Sequence, residues 1–294
     1  MSKYDFDLVV IGGGIAGFVA SSMANGLGKK VAIVEKEKMG GNCALLTCIP
    51  KKALVKASSM ARQANNIERF GLKTSNPLSI NSDGVMDYVR SIVEEIYQQD
   101  TPESFERIGV KVYSGKAQFI DKHSIRVADR EITSNRFIVA SGSRAMVPPI
   151  KGLSEVPYLT NENLFNIKTL PKSIIVLGGG PAGMELGAAL FRLGTKVTLI
   201  EVGQNILARE DRELTDLLKQ KLSEEGMAIL TSQIVDEVSQ QKDNVRVSIR
   251  GKDGDKGLVE AESILVTLGR KTNTENMGLE KAGIQYNKRA SSPI

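Results

Sequence analysis

The residues best suited to chemistry are two cysteines. Cys43 and Cys48 are the only ones in the chain, within Gly40-Gly41-Asn42-Cys43-Ala44-Leu45-Leu46-Thr47-Cys48-Ile49-Pro50-Lys51-Lys52. Four intervening residues permit a disulfide, but not inside a regular helix. With about 1.5 Å rise and about 2.3 Å radius, residues five apart lie roughly 8.7 Å apart at Cα. A disulfide needs about 4.4 to 6.8 Å. A bridge therefore calls for a distorted turn or a strained helix start, and strained bridges are the labile, catalytic ones. The apolar Ala44, Leu45 and Leu46 suggest a loop that faces inward. Zinc is a weaker alternative, because two thiolates without nearby His or further Cys leave the ion under-coordinated. The plain alternative is two buried thiols packed as small hydrophobes.

The elements that must position this pair begin upstream. Asp7 to Ile11 reads as a buried parallel strand. Gly12-Gly13-Gly14-Ile15-Ala16-Gly17 follows, then a helix to about Leu27, a turn at Gly28-Lys29-Lys30, and a strand from Val31 to Val34 ending on Glu35. Gly12 permits the tight turn, Gly14 lets backbone approach a pyrophosphate, and Gly17 lets helix and strand pack closely. The helix N-terminus offers N–H groups and a positive dipole end to phosphates, and Glu35 can accept from ribose hydroxyls. The pattern then repeats. Ser173 to Leu177, Gly178-Gly179-Gly180-Pro181-Ala182-Gly183, a helix to about Leu193 and Val197 to Ile200 lead to Glu201 at the same spacing. Two such fingerprints imply two nucleotides, one per copy. With a redox-capable dithiol, they suggest an electron path.

The remaining segments are read more coarsely. Helices are expected over about 52–67 and 83–97, the second extending towards Ile108. Val110–Tyr113, Lys116–Phe119, Ser124–Val127 and Glu131–Ile132 read as a small β-meander inserted in the first domain, and Phe137–Ala140 as a separate strand. Pro148-Pro149 and Gly152 read as a linker. His123, the single histidine, falls in a turn and is expected to be solvated rather than catalytic. The second half continues with a helix over about 211–225 and strands near 228–232, 235–239, 245–249 and 263–267. At 41% hydrophobic and 25% charged, the composition supports two globular domains. A net charge of +5 with scattered basic residues and no Trp argues against nucleic acid. No basic leader and no long apolar run are present, so neither a signal peptide nor a membrane span is expected. Two cysteines are no secreted framework, which suggests a cytoplasmic protein.

These motifs together resemble the pyridine nucleotide–disulfide oxidoreductases, which include dihydrolipoamide dehydrogenase, glutathione reductase and mercuric reductase. The cysteine stretch is the most specific part. Ala140-Ser141-Gly142-Ser143 and Thr267-Leu268-Gly269-Arg270-Lys271-Thr272-Asn273-Thr274 are similar to two further family motifs. The likeness runs to about Arg289. It implies an α/β fold of two Rossmann-like domains with parallel central sheets and inserted β-meanders: 1–149 for FAD, 150–270 for NAD, and 271–294 as the start of a return to the FAD domain. On this likeness the interface domain is expected to be missing. The resemblance assigns Gly12, Gly14, Gly17, Glu35, Lys36, Gly41, Asn42, Ser141 and Gly142 to FAD. It assigns Gly178, Gly180, Gly183 and Glu201 to the nicotinamide nucleotide, and adds Gly269 to the cofactor-binding set. Cys48 would be the charge-transfer thiol and Cys43 the interchange thiol. Lys52 would lie near the flavin with Glu185 as its partner, a structural salt bridge being the alternative for that pair. Glu201 would accept from a free ribose 2′-OH and repel a 2′-phosphate, which favours NAD, with Arg209 the one nearby residue against it. The substrate would be a small-molecule or protein-bound disulfide or dithiol, and the family dimerises. No metal is implied.

The chain also departs from the family pattern. Thr47 stands where glycine is usual and Lys51 where serine is usual. The Gly-Asp motif, the interface domain and its histidine are not found, and Ala290 to Ile294 no longer fit. The expectation is an FAD- and NAD-dependent disulfide oxidoreductase most like dihydrolipoamide dehydrogenase. The alternatives are a truncated, catalytically silent nucleotide-binding module and a mercuric reductase-like enzyme.

Overall fold

A computed structural model describes residues 3–73 and 78–286. In chain order the first elements are β1 (Phe6–Ile11), α1 (Ile15–Gly26), β2 (Val31–Glu35), α2 (Gly41–Leu45), α3 (Cys48–Asn65), α4 (Ser82–Tyr97), α5 (Pro102–Arg107), β3 (Lys111–Ser114), β4 (Ala117–Phe119), β5 (Ser124–Val127), β6 (Arg130–Val139) and β7 (Ser143–Ala145). They are followed by β8 (Ser173–Leu177), α6 (Pro181–Arg192), β9 (Lys196–Ile200), α7 (Arg212–Glu224), β10 (Ala228–Leu230), β11 (Gln233–Gln241), β12 (Asn244–Gly251), β13 (Lys256–Ala261), β14 (Ser263–Val266) and β15 (Arg270–Thr272). Two compact units emerge. Unit 1 comprises Met1–Ile49, Ile92–Arg144 and Arg270–Ile294; unit 2 comprises Pro50–Ser91 and Ala145–Gly269.

Unit 1 is built on one sheet in the order β3-β2-β1-β6-β5-β4. The apolar runs of β1 and β2 pair in parallel and are buried on both faces. On one face Val9, Ile11, Ala32 and Val34 pack with Phe119, Ile125 and Ile132, and with Met277 and Leu279 from the chain's return. On the other, Val10, Val31 and Ile33 pack with Met39, Phe105 and Val110. Each such Val, Ile, Leu, Phe or Met side chain contributes roughly 1.5–3 kcal/mol by leaving water. Main-chain bonds tie the return segment down, Phe119 N–H donating to Met277 C=O at 2.8 Å.

Two sequence expectations change here. The strand near Val110–Tyr113 is not part of the meander; it is β3, paired in parallel with β2. The expected strands at Glu131–Ile132 and Phe137–Ala140 are one strand, β6. Its first residues pair antiparallel with β5 and its later ones parallel with β1. The polar Ser134-Asn135-Arg136 conceals this continuity. Ser134 is fully buried, and its hydroxyl lies 3.3 Å from Phe6 C=O and 2.7 Å from Arg136 C=O. A satisfied buried hydroxyl lets a strand run through a polar interruption.

Unit 2 carries a four-stranded parallel sheet, β10-β9-β8-β14, and an antiparallel sheet, β11-β12-β13. Ile175, Leu177, Ile200, Ile264 and Val266 of the first share a core with Val238, Val245, Val247 and Ile249 of the second. Helix α6 buries Gly183, Met184, Leu186, Gly187, Ala189 and Leu190, and α7 buries Thr215 and Leu222. Asp211 caps α7, its carboxylate accepting from Glu213 and Leu214 N–H at 3.0 and 3.4 Å.

Candidate active site

Each glycine turn is a cradle shaped by backbone crowding. A side chain on Gly12 would overlap Ala140 C=O, one on Gly17 would overlap Gly12 C=O, and one on Gly183 would overlap Gly178 C=O. Gly180, by contrast, faces open space, and Gly14 has only the Gly41 Cα at an ordinary 3.8 Å. Crowded glycines thus close helix on strand, while Gly180 leaves room over the N-terminus of α6 and Gly14 leaves room for the Gly41 backbone to come alongside. Neither helix has a side-chain cap, so its leading N–H groups stay available.

The two acids are fixed alike. Glu35 accepts from Gly13 N–H at 2.6 Å and Glu37 N–H at 2.9 Å. Glu201 accepts from Gly179 N–H and Gly203 N–H, both at 2.6 Å. Each carboxylate is held at its cradle with lone pairs to spare for hydroxyl donors. The residues thus fit a dinucleotide at both turns. Lys36 lies beside Glu35 and pairs with Glu37 at 2.9 Å.

The chain after Glu35 comes back over the first turn. Gly40 N–H donates to Gly13 C=O at 2.8 Å, and Gly14 and Gly40 form an isolated parallel bridge. A Cβ on Gly41 would lie 2.7 Å from the Gly14 Cα, so backbone meets backbone here. Gly40 and Gly41 have φ of 95° and 58°, which favours glycine. This contact delivers α2, and with it Cys43, to the cradle of unit 1. The Asn42 side-chain amide donates to Ser143 C=O. Ser141 and Gly142 are anchored in turn by Asn273, which donates to Ser141 C=O at 3.0 Å and to Gly142 C=O at 2.9 Å.

Cys43 lies on α2 and Cys48 opens α3, with the break at Leu46-Thr47. The separation is the helix interruption that a bridge at this spacing would require. Pro50 falls in the first turn of α3, where its missing N–H has no intrahelical bond to lose, so α3 begins at Cys48 rather than near Lys52. The two cysteines stand as thiols, Cys48 exposed and Cys43 partly buried. Burial, followed by the hydrogen bond to Cys48 and the charges of Cys48 and Asp100, pushes the Cys43 thiol up to about 11. Burial also raises Asp100, whose carboxylate lies against Gly40.

In unit 2, Glu185 on α6 pairs with both Lys51 and Lys52 of α3. Lys51 is the better buried, its side chain 19% exposed against 64% for Lys52. Burial works against ionisation of Glu185, but the two ammonium groups outweigh it and hold the carboxyl below its usual range. The family resemblance pairs Glu185 with Lys52 alone. The signal for Lys51 is its adjacency at the start of the same helix. Gly178 and Gly269 take φ of 106° and 125°, and Gly269 C=O accepts from Met146 N–H at 3.0 Å. His123 sits before β5, stacked on Tyr4, its Nδ1 3.0 Å from Ser134 C=O. Among the described residues no cluster of three or more His, Cys, Asp or Glu could hold a metal, and no helix is long and apolar enough to cross a membrane. The departure at Ala290 to Ile294 lies outside the described residues.

The sequence profile of pyridine nucleotide-disulphide oxidoreductases matches residues 6–293. The chain belongs to that family. Its members are FAD flavoproteins that also bind a pyridine nucleotide. Among family relatives, the chain is 34% identical over 291 residues to a mercuric reductase of Staphylococcus aureus, covering 97% of this chain and 52% of that protein. It is 33% identical over 288 residues to a dihydrolipoyl dehydrogenase of Geobacillus stearothermophilus, covering 96% and 60%. Among solved structures of the family, it is similar to the Cu(II) complex of RclA, an HOCl-induced flavoprotein disulfide reductase from Escherichia coli. The TM-score is 0.84 at 26% identity, covering 100% of this chain and 63% of that one. The chain thus spans about half to three fifths of the length of these relatives.

Proposed function

We propose that this chain is the dinucleotide-binding, dithiol-bearing part of an FAD-dependent disulfide oxidoreductase that uses NAD(H) and is most like dihydrolipoyl dehydrogenase. The observation that carries the reading is the seating of the Gly40–Cys43 segment on the first glycine turn. It supports a dithiol that works beside a nucleotide held at that turn. FAD would be held within 1–149 by the open N-terminus of α1, Glu35 and the Ser141–Gly142 turn, and NAD within 150–270 by the equivalent parts of α6 and Glu201. When bound, the flavin supplies two-electron transfer between a nicotinamide and the dithiol.

The chain's own residues do the rest. Glu35 and Glu201 accept from ribose hydroxyls, and the anionic Glu201 disfavours a 2′-phosphate, which supports NAD. Cys43, kept protonated by its burial, needs a base or a partner sulfur before it attacks a disulfide. Lys51 and Lys52 place two cations one turn after Cys48, and Glu185 balances one of them. The net charge left over favours a thiolate at the helix start. A disulfide or dithiol, free or carried on a protein, is the substrate class, and both a dimer and a cytoplasmic setting accord with this reading.

The test is an absorption spectrum of the purified chain before and after anaerobic NADH. A yellow protein that gains a long-wavelength band on reduction, lost in Cys48→Ser, is the expected result. A band that survives in Cys48→Ser removes Cys48 from its role. A colourless protein that binds NADH replaces this reading with that of a nucleotide-binding module without turnover.

A further inference from the structure

Thr47 occupies the break between the two cysteine helices, and its hydroxyl has two partners. It donates to Asn42 C=O at 2.9 Å and lies 3.6 Å from Cys48 Sγ. The carbonyl does not need it. Asn42 C=O already accepts from Thr47 N–H at 2.7 Å and Leu46 N–H at 3.0 Å. Two N–H donors fill the two lone pairs of a carbonyl, so the hydroxyl is a third donor that can turn away at little cost. We infer that Thr47 is a positioning residue for Cys48, its hydroxyl turning from the Asn42 carbonyl to the sulfur when Cys48 loses its proton. In the thiol state the Cys48 S–H can donate to Thr47 Oγ1 while the hydroxyl donates to the carbonyl. In the thiolate state the hydroxyl donates to sulfur, and the two N–H groups keep the carbonyl satisfied. No side chain has to move, because rotation about the Cβ–Oγ1 bond suffices.

Other titratable groups near the thiol pair do not change with Thr47. They are the Cys43 thiol on α2 and Asp100 against Gly40, while Lys51 and Lys52 follow on α3, paired with Glu185. The effect of Thr47 is therefore read as a difference between variants on one Cys43→Ser background, which leave Asp100, Lys51 and Lys52 in place. Its part in turnover rests on the function proposed above; the thiol chemistry does not, which keeps the two separable.

The experiment measures iodoacetamide alkylation of Cys48 against pH in the full chain, with Cys43→Ser leaving one thiol. Adding Thr47→Val, which keeps the shape and removes the hydroxyl, is expected to slow alkylation at neutral pH about three- to tenfold and to move the pH midpoint upward, since a hydrogen bond to an ionised group is lost. Adding Thr47→Ser instead is expected to restore the Cys43→Ser profile. Unchanged melting of all three would show that the fold is intact. A Thr47→Val profile superimposable on its parent overturns the inference, and so does a Thr47→Ser profile that follows Thr47→Val. If melting shifts in Thr47→Val, the Thr47→Ser comparison still decides, because serine keeps the hydroxyl and gives up only the methyl. Because alkylation needs no flavin, a colourless protein would sink the proposed function and leave this result standing.

Discussion

The two glycine turns are near copies with different cargo. In each, the middle glycine donates to an acid at the end of the second strand, and a later backbone N–H returns to its carbonyl. In unit 1 that donor is Gly40, on Gly13 C=O; in unit 2 it is Leu207, on Gly179 C=O, both at 2.8 Å. Past this shared contact the copies diverge. The first continues into Gly41-Asn42-Cys43 and the dithiol, the second into Ala208-Arg209-Glu210 and α7. The helices diverge as well. Helix α1 buries Gly17 and Ser21, and leaves Ile15, Val19 and Met23 at 60%, 45% and 65% exposure. Val19 corresponds in spacing to Glu185 of α6, and Met23 to the buried Ala189. The cradle is thus a repeated structural device, and the two copies differ on the return segment and on the outward face of the helix.

The largest expected effect separates closing glycines from open ones. Gly183→Ala would drive a Cβ into backbone and toward Thr267 Oγ1, and should destabilise unit 2 by about 3 kcal/mol or more. Gly180→Ala meets nothing within 4 Å and has an ordinary φ of −74°. It should melt like the parent chain yet weaken NADH binding about tenfold or more, read by fluorescence titration. Parent-like affinity in Gly180→Ala would mean that no phosphate approaches there, and the likeness between the cradles would be one of fold alone.

The next effect concerns the cargo. Cys43 is raised from 9.0 to about 11, burial being the largest cause and its Cys48 partner the next. In Cys48→Ser the thiol partner is gone but the burial remains. The alkylation midpoint of Cys43 should then fall below that of the parent and stay above 9.0. A midpoint at or under 9.0 would show that seating on the glycine turn does not bury the sulfur. The linkage has a definite sign. A raised folded-state value means that the protonated thiol stabilises the fold fully below pH 9.0, and that this contribution is lost as pH rises through about 11.

How much of this was legible in the sequence follows from what each element needs locally. The strand–glycine–helix–strand–acid units were readable because turn, close packing and acid each demand a residue type at a set distance. The break between the cysteines was readable because helix geometry forbids the bridge. The return onto each cradle was not, because Gly40 and Leu207 act through backbone N–H groups that no side chain announces. Leu207 even takes φ of 49°, against its residue type. Strand β6 reads as two because the buried Ser134 hydroxyl finds its partners, Phe6 C=O and Arg136 C=O, only once the strand is paired. Lys51 reads as a departure from the family pattern rather than as a partner of Glu185, since their pairing depends on a helix start that Pro50 conceals.

The smallest effect tests the outward face of α1. Ser22 Oγ is buried and has no hydrogen-bond partner among the described residues. The equivalent position in α6 is Ala188. A buried hydroxyl without a partner forfeits its hydration and gains nothing in return, so Ser22→Ala, which copies the second helix, should stabilise. Helix propensity alone also favours alanine over serine, by less than about 0.7 kcal/mol. Ser223→Ala on the exposed face of α7 supplies that term without any burial. The gain from Ser22→Ala in urea unfolding should be about 1 kcal/mol and exceed that from Ser223→Ala. Equal gains would mean that Ser22 is hydrated as well as any surface serine. A loss would mean that the hydroxyl has a partner when the protein is in solution, and that the two helices differ there by design of the first rather than by a polar atom left unpaired.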